Sequence, residues 1–136
     1  MTCPHCSRSD DEHRFHFAMI RSAFDHWPHD HKFQPMNAEH LRGWLYVEAG
    51  HVNTVELPDA SDVTIRAVKA ARQVLNPLTY LRMVETNTGL TLVGPRSISK
   101  GSCKKSEFRA VQDKVAAIIG AVVGVSAEQL VKEKAA

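Results

Sequence analysis

No stretch of this chain holds the roughly 20 consecutive apolar residues that a bilayer-spanning helix needs, which argues against a helical membrane protein. The first apolar cluster, residues 15–24, is interrupted by His16 and Arg21, unlike the continuous core of a secretory signal, and a cytoplasmic protein is expected. Cysteine is scarce. Three in 136 residues is an odd number, which excludes a complete intramolecular disulfide framework and suits a reducing compartment. Neither sign of charge dominates: 17 Lys and Arg against 15 Asp and Glu leave +2, so only locally clustered charge would attract a polyanion. There is no Gly-x4-Gly-Lys-Ser/Thr loop and no Gly-x-Ser-x-Gly turn, which removes the two best-marked routes to nucleotide hydrolysis and serine catalysis. No internal repeat is present, so a solenoid is excluded.

What is present is ordinary for a globular domain, with 43% hydrophobic and 24% charged residues. Two cores cut from this length would each be too small to be stable unaided, so one domain over 10–136 is expected, preceded by a flexible tail at 1–9. Phe15, Ala18, Ile20, Ala23, Phe24 and Trp27 recur at helical spacing and predict a first helix from Asp10 that stops before Pro28. Asn37 is a good cap for a second, with Leu41, Trp44, Leu45 and Val47 inward and Gly50 as its stop. Residues 51–57 read as a strand closed by Pro58-Asp59. Ser61 or Asp62 caps a third helix, with Ile65, Val68, Ala71 and Leu75 inward and Arg66, Lys69 and Arg72 outward. Strands at 79–85 and 90–93 flank Asn87-Thr88-Gly89, a hairpin signal; residues 96–99 are a candidate continuation of the second. A last long helix spans about 105–122, with Phe108, Val111, Val115, Ile118, Ile119 and Val122 on one face and a short terminal helix beyond Ser126. The expected class is α+β: four or five helices on a small, mainly antiparallel sheet with one hairpin.

All eight histidines lie in the N-terminal half. Cys3 and Cys6, followed by His13 and His16, have the composition of a tetrahedral zinc site. Against it, the intervening residues offer almost no apolar support and His16 falls inside the first helix. The expectation is therefore no cofactor, with zinc at Cys3, Cys6, His13 and His16 as the alternative. His26, His29 and His31, with His40 and His51 further on and Asp25, Asp30 and Glu39 nearby, would be the ligands of a metal-dependent nuclease if they converged. A polar connector is the simpler account of 25–31. Cys103, set among lysines, is a thiol whose pKa they would lower, but it stands without a catalytic partner motif.

The clearest clustered charge is Arg96, Lys100, Lys104, Lys105 and Arg109, interleaved with Ser97, Ser99, Gly101, Ser102 and Ser106, and with Glu107 the only acid. Cations, short hydroxyls and a helix start suit phosphate contacts, and Arg66, Lys69 and Arg72 would extend that surface. Arg42, Glu48 and His51 form a further candidate site, as a local ion pair at the end of the second helix or, with Arg96, Ser97 and Ser99, as something more.

Three segments resemble short phage- and prophage-encoded proteins of unknown function. They are His16-Phe17-Ala18-Met19-Ile20 with Ala23, Phe24 and Trp27; Leu41-Arg42-Gly43-Trp44-Leu45-Tyr46-Val47-Glu48-Ala49-Gly50-His51; and Pro95-Arg96-Ser97-Ile98-Ser99 with Ser106-Glu107-Phe108. The middle segment resembles an Arg-Trp…Val-Glu-Ala-Gly-His pattern and the last a Pro-Lys-Ser-Ile-Ser pattern. The chain departs from the family at Lys100, where an aromatic is usual, and in a shorter stretch between Trp27 and Glu39. The resemblance implies a phage origin, residence in the host cytoplasm, and a place near recombination or replication. Charge and resemblance together lead to the expectation of a non-enzymatic accessory protein that binds nucleic acid or a recombination or replication complex. A protein–protein inhibitor or adaptor acting on a host defence enzyme is the alternative from another class, and the metal-dependent nuclease a third.

Overall fold

The computed structural model describes residues 10–75, 80–87, 89–98, 105–126, 128–129 and 131. Among them are four helices and three strands, in the order α1 (Asp10–Asp25), α2 (Ala38–Glu48), β1 (Val52–Pro58), α3 (Asp62–Leu75), β2 (Arg82–Thr86), β3 (Gly89–Pro95) and α4 (Lys105–Val123). This is the expected α+β class. The chain forms two compact units, one of residues 1–38 with 97–136 and one of residues 39–96.

In the first unit, α1 buries His16, Met19, Ile20, Ser22 and Ala23, and α4 buries Phe108, Val111, Val115 and Ile119. The α4 spacing of three and four residues is one helical face, as its periodicity predicts. Ile118 and Val122, expected on that face, are half-buried at its margin. After α1 the connector folds on itself: the Trp27 indole N–H donates to the Phe33 carbonyl at 2.8 Å, and the Gln34 amide donates to the carbonyl of His31 at 2.7 Å. Ser97 and Ile98 do not continue β3; Ile98 is buried instead, and Ser99 lies outside the described residues.

The second unit is built on an antiparallel sheet of order β1-β3-β2. β3 is central, with Val55 opposite Leu92 and Val84 opposite Thr91. α2 is buried along His40, Leu41, Gly43, Trp44, Leu45, Tyr46 and Val47, more than an amphipathic helix on a single surface would be. Its C-terminus is a Schellman motif: the His51 N–H donates to the Tyr46 carbonyl at 2.9 Å and the Gly50 N–H to the Val47 carbonyl at 3.1 Å. Gly50 has φ 81°, the left-handed conformation that glycine adopts at least cost. α3 begins at a Ser61 cap, whose hydroxyl accepts from the Thr64 N–H at 3.3 Å. Its inner face is shallower than expected: Ile65 and Val68 are half-buried and Ala71 is exposed.

Gly43 and Gly120 are both mid-helix glycines, but a Cβ would meet different surroundings. At Gly43 it would stand 2.7 Å from the Tyr80 Cβ and 3.1 Å from the Tyr80 nitrogen; at Gly120 its nearest neighbour is the Val125 carbonyl at 3.7 Å. Removing a helical glycine in open space gains roughly 0.8–1.0 kcal/mol, whereas forced overpacking costs about 1–3 kcal/mol. Gly120→Ala should therefore raise the free energy of unfolding by somewhat under about 1 kcal/mol. Gly43→Ala should lower it by about 1–2 kcal/mol, because the clash involves backbone that cannot rotate away. Urea titrations of the two variants will show opposite shifts in midpoint.

Candidate nucleic-acid interface

Ion pairing separates the described arginines into two groups, and Arg21 and Arg96 fall with Arg66 and Arg72 in the unmatched one. Arg14 pairs with Asp11 at 2.6 Å, Arg42 with Glu39, Arg82 with Glu48, and Arg109 with Glu12 at 3.4 Å. Arg66 and Arg72 on α3 have no carboxylate partner among the described residues. Between them, Lys69 reaches Glu85 of β2 at 2.9 Å. Three-residue spacing keeps Arg66, Lys69 and Arg72 on one gently winding stripe. The rise from Arg66 to Arg72 is about 9 Å, the span of two to three phosphates along one nucleic-acid strand. Arg66 and Lys69 are exposed, and Arg72 is half-buried.

The second basic stretch is only partly placed. Arg96 is exposed, and its N–H donates to the His51 carbonyl at 3.0 Å, so Arg96 sits beside His51 at the end of the sheet. Ser97 is exposed; Ser99, Lys100 and Lys104 lie outside the described residues, and Lys105 opens α4. Arg109, expected to face phosphate, is held by Glu12 instead.

Glu48 is brought to Arg82, 34 residues away, and the Arg82 Nε donates to the Tyr80 hydroxyl at 3.0 Å. The guanidinium lies 5.6 Å from the Tyr80 ring centre. Desolvation works against its charge, but the hydrogen bonds to Glu48 and Tyr80 and their Coulombic attraction outweigh it, and the Arg82 pKa is raised. This cluster is structural in character. It fastens the end of α2 to β2, and as a pair about one-third exposed it is worth at most about 1 kcal/mol. Arg42 pairs with its helical neighbour Glu39 and lies 5.9 Å from the Tyr46 ring centre. His51 is buried, its ring edge-on to Tyr46 at 6.0 Å, which is the packing contact of the Schellman motif. Arg82 had no signal of its own in the sequence beyond its place on a strand.

Of the histidines expected as metal ligands, His13, His16, His31, His40 and His51 pack against aromatic rings, while His26 and His29 are exposed. His13 stacks on Phe108 at 5.5 Å, and the fully buried His16 tilts onto Phe108 at 5.2 Å. Cys3 and Cys6 lie outside the described residues. His26 Nδ1 is 2.9 Å from the Ser22 carbonyl, and His31 Nδ1 accepts from the Phe33 N–H at 3.0 Å. Among the described residues no three His, Cys, Asp or Glu side chains gather as a metal-binding group. No described helix is long and apolar enough to cross a membrane.

No protein-family model, no curated protein and no solved structure matches this chain.

His40, on α2, is buried, with its ring 5.8 Å from that of Tyr80, and burial lowers its pKa from the ordinary 6.5. The folded protein thus favours the neutral ring, while the unfolded chain takes up a proton more readily. Stability from this site is present above the ordinary value and is lost as pH falls through it toward the lower folded value. Thermal melts between about pH 7.5 and about pH 5 should show a falling midpoint, and His40→Gln should flatten that dependence relative to the parent. An unchanged slope in the variant would remove His40 from the account.

Proposed function

We propose that this protein is a non-enzymatic nucleic-acid-binding protein that holds the phosphate backbone with α3. The supporting observation is the ion pairing: Arg14, Arg42, Arg82 and Arg109 are matched to carboxylates, whereas Arg66 and Arg72 are unmatched together on one helix, the other unmatched described arginines, Arg21 and Arg96, standing singly, and all but Arg72 of the α3 stripe is exposed. Unmatched guanidinium groups on one helix give a local positive potential that a net charge of +2 conceals. Arg66 and Arg72 supply forked donors to phosphate oxygens, and Lys69 supplies a point charge. Arg96, exposed in the same unit, would add a contact to the same polyanion. The resemblance to phage-encoded proteins agrees with such a role at recombination or replication complexes.

An adaptor or inhibitor would need a continuous apolar or acidic surface. Of the exposed apolar residues Met36, Val55, Val63 and Val84, the two on the sheet, Val55 and Val84, have cross-strand partners that place them on opposite faces, which divides rather than joins them. Backbone binding is the better-supported reading.

Each phosphate contact releases counterions, so affinity should fall with salt with a log–log slope of about −0.9 per contact. In fluorescence anisotropy with single- and double-stranded oligonucleotides, the parent should bind at low salt. The double variant Arg66→Ala/Arg72→Ala should show a slope shallower by about 2. Absence of salt-sensitive binding to either form at low ionic strength would end this reading.

A further inference from the structure

Between α3 and β2 lies a cavity of about 400 Å³, lined among the described residues by Lys69, Arg72, Met83 and Glu85. Met83 and Glu85 are two apart on β2 and therefore share a sheet face, the face that carries Leu92 and Leu90 in register. The Lys69–Glu85 ion pair, at 2.9 Å, closes one side. It neutralises Lys69 and uses one carboxylate oxygen, Oε1, of Glu85. Arg72 is left as the uncompensated charge. It is half-buried at the cavity wall, with no carboxylate partner among the described residues. A guanidinium taken partly out of water without a counter-ion is a site where an anion gains most.

The lining narrows the kind of anion. The volume is near the lower end for small-ligand pockets and larger than a bare phosphate needs. Met83 offers an apolar wall, and the second oxygen of Glu85 offers a hydrogen-bond acceptor. A ligand matching all of these has a phosphate for Arg72, a carbon framework for Met83 and a hydroxyl to donate to Glu85. That combination is a phosphate monoester on a sugar.

We infer that the cavity between α3 and β2 seats a sugar phosphate monoester on Arg72, supplied by the 5′-phosphorylated terminal nucleotide of a bound strand. The source of the phosphate rests on the nucleic-acid reading; the seat does not. A strand lying along α3 brings its end to the cavity, because Lys69 and Arg72 belong to both the helix stripe and the cavity wall. The protein would then favour a phosphorylated end over internal backbone, whose phosphodiesters carry a single charge.

The test compares one oligonucleotide with and without a 5′-phosphate, by anisotropy, on the full chain. The phosphorylated form should bind about tenfold tighter, the scale of one charge-assisted interaction. Arg66→Ala should weaken both forms and keep their ratio. Arg72→Ala should bring the ratio to one, and Arg72→Lys, which keeps the charge but loses the fork, should restore only part of it. A parent ratio of one overturns the terminal-nucleotide source. A nucleoside 5′-monophosphate, titrated against the amide resonances of Met83 and Glu85, examines the seat apart from any strand. Shifts in the parent that vanish in Arg72→Ala support the seat even where no oligonucleotide binds, an outcome that would defeat the backbone reading alone. No shift of those resonances overturns the seat itself. Equal shifts with inorganic phosphate would overturn the sugar requirement.

Discussion

The second unit depends on how closely α2 approaches the strands beneath it. Gly43 allows the helix backbone to come so near that even a methyl group there would lie 2.7 Å from the Tyr80 Cβ and 3.5 Å from the Pro95 ring. Tyr80 leads into β2 and Pro95 ends β3, so one missing side chain seats the helix on the ends of two neighbouring strands. From that seat the rest of the unit follows along α2. Five residues on, Glu48 reaches Arg82. The Schellman turn at Gly50 then delivers the chain into β1 with Val52 opposite Pro95, and the Arg96 N–H closes onto the His51 carbonyl. A larger residue at 43 would lift the helix and disturb each of these contacts together, which is why the central segment tolerates so little freedom.

The parts of this fold that could be read from the sequence are those with local causes. Ser61 caps α3 three residues ahead of Thr64, Gly50 ends α2 through its left-handed backbone, and Phe108, Val111, Val115 and Ile119 repeat at a helical period. The hairpin between β2 and β3 was marked by Asn87 and Gly89. The order β1-β3-β2 was not legible, because the alternation in β1 says which residues share a face and nothing about which strand lies alongside. The same limit applies to the candidate site. The pair Arg42–Glu39 is an i,i+3 neighbour that helical geometry supplies, whereas Glu48–Arg82 joins residues 34 apart and needs the whole unit assembled. The stripe on α3 was legible as spacing, but which of its cations meet a carboxylate was not, since pairing is a property of surroundings. Nor was its shallow packing: periodicity marks a face of α3 without showing how much surface exists to cover it.

The concentration of histidine in the first half suggested ligands, and the structure gives most of the described ones work as flat, partly polar packing groups. His13 and His16 lie against Phe108 where α1 meets α4. His31 meets the edge of Trp27 at 5.0 Å while accepting from the Phe33 N–H, which requires a lone pair on Nδ1 in that arrangement. His51 fills the hydrophobic contact of a helix cap. An imidazole can do each of these because it stacks like an aromatic ring and still bonds to backbone. Spacing such as Cys-x2-Cys…His-x2-His describes only what could meet a metal; whether the rings turn toward one another depends on the helix they occupy, and His16 is turned into the core of its unit.

Electrostatics then assigns the remaining roles. An exposed ion pair contributes little to stability, so the matched arginines do not hold the fold together by charge alone. What matching does is cancel potential: Arg109 beside Glu12 and Arg42 beside Glu39 present little field to solvent. In the second unit the unmatched arginines are Arg66 and Arg72 of α3 and, at the end of the sheet, Arg96; the two on α3 differ from each other. Arg66 is fully hydrated and can serve any passing phosphate. Arg72 is half-buried at a cavity wall, with no carboxylate partner among the described residues. On the proposed reading, a doubly charged phosphate would gain more from its fork than a singly charged internal phosphodiester. On the proposed reading, the same helix would offer general adhesion at one end and a more selective seat at the other, with the Lys69–Glu85 ion pair between them.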